Sequence, residues 1–194
     1  MISGLGKIPF SRVVAAAALL AASLAISLSF ASTGAAQQSA QQSRQQSAQQ
    51  SALQAQNRLS CNDPKTTDDD TIAGCSALIK SGRDSKHTLA ADFNNRGFAY
   101  YDKGDYDRAM ADYNQAIKLD PKFAQAYNGR CAAHNKKGES DQALADCDQA
   151  IQLDPNFAFA YNNRGIAKHA RGDTAGGDAD IAHAKELDPK IGKE

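Results

Sequence analysis

A period of 34 residues dominates the second half of this 194-residue chain. Shifting residues 96–130 onto 130–164 matches 20 of 35 positions. Pro121, Pro155 and Pro189 keep the same interval, as do Gly104, Gly138 and Gly172, and Arg96, Arg130 and Arg164. Such a period leaves few folds open. One unit is a supersecondary element that cannot bury its apolar face alone, so its copies must stack.

Within a unit the spacing is helical. Phe93, Arg96, Gly97 and Tyr100 fall at i, i+3, i+4 and i+7, on one face of a helix. Gly104 is a natural stop, and Asp105 a natural cap for a second helix on which Ala109, Tyr113, Ala116 and Ile117 share a face. Asp120-Pro121 ends that helix, because the residue before a proline avoids helical dihedrals. Val is scarce after residue 14, which argues against an extensive sheet.

The length and the columns resemble the tetratricopeptide repeat. The family's Trp column holds Phe93, Tyr127 and Tyr161, and its Gly column Gly97, Cys131 and Gly165. Tyr100, His134 and Lys168 stand in its Tyr column. Ala109, Ala143 and Gly177 stand in its Ala column, and Tyr113, Cys147 and Ile181 in its Phe column. Arg96, Arg130 and Arg164 replace the usual Leu, a clear departure. The resemblance covers three units, 90–123, 124–157 and 158–191. It implies an all-α fold, a right-handed superhelical stack of antiparallel helix pairs. Upstream, residues 71–79 echo a second helix, with Cys75 in the place of Tyr113 and Leu78 in that of Ala116. Residues 60–89 therefore read as a partial, degenerate unit. Asp68, Asp69 and Asp70 suit the positive end of its helix, and no calcium-loop spacing accompanies them.

Asp112, Asp146 and Asp180 each follow an arginine of the repeat by 16 residues. Antiparallel helices bring Arg96 to Asp112, Arg130 to Asp146 and Arg164 to Asp180, structural ion pairs that fix helix register. A second set of residues points away from the packing face. It comprises the stripes Asn94, Phe98, Tyr101; Asn128, Ala132, Asn135; and Asn162, Ile166, His169. In the family this first-helix face lines the concave groove, so the resemblance implies a peptide-binding groove of Asn94, Phe98, Tyr101, Asn128, Asn135, Asn162, Ile166 and His169. Gly129 interrupts the neighbouring column of Asn95 and Asn163.

Residues 1–36 carry Lys7 and Arg12 and no acid, then an uncharged run from 13 to 30 followed by small residues. That is the pattern of an export signal, with cleavage after Ala31 or Ala36; retention as an anchor is the alternative. Residues 37–59 are rich in Gln, Ser and Ala and read as a disordered tether. Export gives the four cysteines a meaning, since an oxidising compartment preserves disulfides. Spacing alone leaves three pairings open. The repeat columns favour Cys131–Cys147, joining the Gly column to the aromatic column of the antiparallel helix, with Cys61–Cys75 as the other pair.

The 22 basic and 22 acidic residues balance, which excludes a large basic surface for nucleic acid. His87, His134, His169 and His183 form no HExxH pair, and there is no GxxxxGK[ST] loop, so neither enzyme chemistry nor a cofactor or metal is called for. The expected protein is a non-catalytic adaptor or scaffold, acting in the periplasm or as a secreted protein, that binds another protein or an extended peptide segment. The alternatives are an architectural part of an envelope complex held by the uncleaved N-terminal segment, or an accessory subunit of an enzyme. Membrane contact is expected only with that segment retained. Weak self-association is expected through the C-terminal end, where little chain follows Pro189 to cover the last unit.

Overall fold

The computed structural model describes residues 37–192; the expected export signal lies outside them. The chain divides into two units, one up to Ala52 and one from Leu53 onward. In the first, residues 37–52 are helical and exposed throughout. This differs from the expected tether, because Ala and Gln favour the helical backbone even where no large side chain exists to bury.

The second unit is all helix among its described residues. Its helices are α1 (residues 53–62), α2 (Asp68–Ser81), α3 (Lys86–Asp102), α4 (Tyr106–Leu119), α5 (Ala124–Lys137), α6 (Ser140–Leu153), α7 (Ala158–Ala170) and α8 (Thr174–Leu187). Residues 53–62 belong to this unit rather than to a tether. With α2 they form a helix pair ahead of the three expected ones, and the residues from Lys86 on belong to α3. Local chemistry sets the boundaries. Thr67, Ser85, Asp105 and Asp173 cap α2, α3, α4 and α8 by accepting from a backbone N–H of the first turn. Gly82, Gly104, Gly138 and Gly172 take left-handed dihedrals just after the helices α2, α3, α5 and α7.

Consecutive helices pack throughout from α2 to α8. The first helices of successive pairs also touch, α3 with α5 and α5 with α7, whereas α4, α6 and α8 do not meet one another. The stack therefore curves around its first helices, and their free faces line the inner side. The core is mostly alanine: Ala90, Ala99, Ala109, Ala116, Ala126, Ala133, Ala143, Ala150, Ala160, Ala167 and Ala184 are all buried. Small side chains let the helix axes approach closely, and Phe93, Phe123, Tyr100 and Leu144 pack around them.

One slot in each helix pair is filled by a tyrosine, an isoleucine or a disulfide. Tyr113 of α4 is buried against Gly97 of α3, where an added Cβ would lie 2.9 Å from its ring. Ile181 of α8 meets Gly165 of α7 in the same way. In the middle pair a disulfide, Cys131–Cys147, fills the slot with a Cα–Cα distance of 5.5 Å. Cys61–Cys75 fills it between α1 and α2 at 4.8 Å.

Candidate functional site

The arginine column lies between the helices rather than on a free face. Arg96 grips Asp112 through Nε and Nη2, both at 2.8 Å, and its Nη1 donates to Ser76 Oγ at 2.9 Å. Arg130 forks onto Asp146 at 2.7 and 2.5 Å and reaches back to Asn114 at 2.5 Å. Arg164 forks onto Asp180 at 2.7 Å twice and reaches back to Asp148 at 2.8 Å. Each guanidinium thus joins its own second helix to that of the preceding pair, while lying 5.3–5.7 Å from the ring centroid of Phe93, Tyr127 or Tyr161. The hydrogen bond to its aspartate raises the pKa of each arginine. Asp112, Asp146 and Asp180 are buried, so these charges are engaged within the protein and are not offered to an anionic ligand.

The leading pair replaces this motif. Arg58 of α1 reaches forward to Asp84 at 2.6 Å and to Asp92 of α3 at 2.5 Å. Asp92 is fully buried. Burial, opposed by Arg58 and reinforced by Asp84, pushes its pKa up to about 6.

The inner face divides the sequence-expected groove residues into two groups. Tyr101 and Asn135 are half-buried and turn toward the stack, whereas His169 stays exposed. Tyr101 packs on Tyr106 at a centroid distance of 5.4 Å, beside Ala109, Tyr113 and Ala133. The Asn135 side chain donates to the Asn163 carbonyl at 2.8 Å, and His169 lies within hydrogen-bond distance of the Thr174 carbonyl and Asp178. Asn94, Phe98, Asn128, Asn162 and Ile166 remain on the inner face. Phe98 is 58 % exposed and Ile166 44 %. Asn163 Nδ2 donates to Asn128 Oδ1 at 2.9 Å, leaving the Asn128 amide nitrogen available, and the Asn162 amide makes no hydrogen bond among the described residues. The first helices thus present amides from three successive rungs.

Two features escaped the sequence reading. Phe159 is 55 % exposed, seven residues before Ile166 and three before Asn162, so α7 carries an apolar–amide–apolar stripe. At the other end, α1, α2 and α3 border an open cavity of about 370 Å³ whose lining includes Asp63, Asp68, Asn94, Asn95, Phe98 and Asp102. The i, i+7 spacing of Phe159 and Ile166 was a visible signal. The cavity was not, because it needs the α1–α2 turn in place. The gap at Gly129 has a steric cause: a Cβ there would lie 2.5 Å from the Tyr113 ring. At the equivalent places, Asn95 and Asn163, the preceding slot holds a compact disulfide instead of a tyrosine.

No helix among the described residues is long and apolar enough to cross a membrane, and none of their His, Cys, Asp and Glu side chains gather in threes around a metal-sized space.

No curated protein matches the chain in sequence. Family models described as "TPR repeat" and "Tetratricopeptide repeat" match residues 97–138 and 124–157. Among solved structures, the Arabidopsis OM64 TPR domain is similar with 29 % identity and a TM-score of 0.53, over 55 % of this chain and 88 % of that one. The second TPR domain of human RPAP3, in complex with the HSP70 peptide SGPTIEEVD, shares 29 % identity at a TM-score of 0.52, over 56 % and 90 % of the two chains. The MamA crystal structure, at 21 % identity and a TM-score of 0.57 over 73 % and 80 %, shares the fold. The 34-residue helix pairs, the inward first helices and these matches agree: the chain belongs to the tetratricopeptide-repeat family.

Proposed function

We propose that the protein is an exported, non-catalytic adaptor that holds an extended segment of another protein along the inner face of its first helices. One observation carries this reading: side-chain amides stand on three successive rungs with hydrogen-bonding capacity the fold does not use. Asn94, Asn128 and Asn162 repeat at one face of α3, α5 and α7. An amide both donates and accepts, which suits the alternating N–H and C=O groups of an extended backbone. Phe98, Phe159 and Ile166 add exposed apolar surface for side-chain selection. The RPAP3 domains bound to HSP70 or HSP90 peptides share these helix pairs, which supports a peptide as the occupant. Two disulfides support an oxidising compartment, in keeping with the export pattern of residues 1–36.

The test is photo-crosslinking in cells from position 132, on the inner face, against position 118, on the outer helices. Crosslinks concentrated at 132, and lost when Asn94, Asn128 and Asn162 are together replaced by Ala with helix content unchanged, are the expected result. Each lost hydrogen bond to backbone is worth about 0.5–1.5 kcal/mol, so three together weaken capture about tenfold or more. Equal crosslinking from both positions, or a triple variant that captures as well as the parent, overturns the reading.

A further inference from the structure

The inner face changes character from one end to the other. At its first rung Asp68 and Asp102 line the cavity of about 370 Å³, and neither forms a direct ion pair among the described residues; the neighbouring Lys103 pairs with Asp69 and only feels the charge of Asp68. Partial desolvation, and then the charge of Asp68, hold the Asp102 carboxyl above its usual range. Phe98 stands beside them with its ring exposed. One rung on, Lys136 occupies the place of Asp102 and makes no ion pair, and two rungs on the place is taken by Ala170. The middle rung offers Asn128 and Ala132, and the last offers Phe159, Asn162 and Ile166. Two apolar anchors are therefore separated by an amide stretch, with two carboxylates that form no direct ion pair at one of them.

Packed helices lie about 8–10 Å apart, so two rungs span about 20 Å, a length covered by about six residues of extended chain. A Lys or Arg stem can lie along the Phe98 ring while its cationic head meets Asp68 and Asp102. An acidic side chain placed there faces like charge in a recess partly closed to water.

We propose that the groove selects an extended segment bearing a basic residue next to an apolar one at the first rung, and a second apolar residue about six positions away at Phe159 and Ile166. The proposal rests on the adaptor reading above and specifies its ligand.

The test uses the chain with its disulfides intact and three fluorescein-labelled peptides: GRLSGSGSLG, its charge-reversed twin GELSGSGSLG, and GRLSGSGSSG, which lacks the second anchor. Fluorescence anisotropy at low salt is expected to show the first binding about tenfold more tightly than either twin. In the Asp68→Asn/Asp102→Asn variant, checked for folding by circular dichroism, the preference over the Glu twin falls below about twofold, as it does at high salt. In the Phe159→Ser/Ile166→Ser variant the advantage of the second Leu disappears. A Glu twin that binds as well as the Arg peptide, with binding still lost in the Asn94/Asn128/Asn162 triple variant, overturns the charge assignment and leaves the groove standing. If no peptide binds, the proposal fails, and crosslinking from position 132 decides whether the adaptor reading fails with it.

Discussion

Replacing Gly129 by Ala tests the packing logic of the stack. On an isolated helix Ala is favoured over Gly by about 0.5–1 kcal/mol. Here the added methyl would lie 2.5 Å from Cε1 and Cζ of Tyr113 and 3.0 Å from its hydroxyl. Tyr113 has little room to retreat, since it is buried and its ring already lies against Gly97. Overpacking a rigid site costs about 1–3 kcal/mol, so the clash outweighs propensity and the variant loses about 1–2 kcal/mol. For a chain of this size that lowers the melting midpoint by about 2–8 °C. The decisive measurement is a double-mutant cycle with Tyr113→Leu, followed by urea denaturation of the disulfide-intact chain. With the ring gone, the same Gly129→Ala change is expected to become neutral or stabilising. A substitution that stabilises the parent, or that costs the same in both backgrounds, would refute the argument that tyrosine size forces glycine at 129.

Arg130→Met strips the guanidinium from buried Asp146, leaving it only His134 Nε2 at 3.6 Å, and the donor from Asn114, and is expected to cost about 3 kcal/mol in urea denaturation, part of it recovered by adding Asp146→Asn. Asp92 gives a pH response of defined sign. Its folded pKa of about 6 lies above the ordinary 3.8, so the folded chain binds the extra proton, and this group's contribution to stability falls as pH rises from about 4 through 6. Urea midpoints at pH 5 and pH 7.5 are expected to separate less in Asp92→Asn than in the parent; an unchanged separation excludes Asp92 as the source.

The repeat made the three later helix pairs readable because a glycine stop, a proline and an aromatic column return every 34 residues. The arginine-to-aspartate interval of 16 was equally legible, as one antiparallel turn separates the two columns. The third contact of each arginine was not. Ser76, Asn114 and Asp148 are three different residue types with nothing in common but a place on the preceding second helix. The leading pair was only half visible, because α1 has no aromatic column and its Arg58–Asp92 contact spans 34 residues with no counterpart downstream. In the groove, helical spacing located the inner face at Asn94, Asn128 and Asn162. It could not separate residues facing solvent from those facing the next rung, which is why Tyr101 and Asn135 turn toward the stack.

The placement of the two disulfides has a mechanical consequence. Both run within a helix pair, Cys61 to Cys75 and Cys131 to Cys147, and neither crosses from one pair to the next. A pull on the two ends of the unit therefore meets covalent resistance inside two rungs and only side-chain contacts between rungs. The joints yield first, while the loops of 14 and 16 residues stay closed and withhold about 100 Å of contour length, at about 3.5 Å per residue. Such a chain behaves less like a uniform spring than like a ladder of stiff links on soft hinges. Reduction would change how far it extends before it would change where it first gives way.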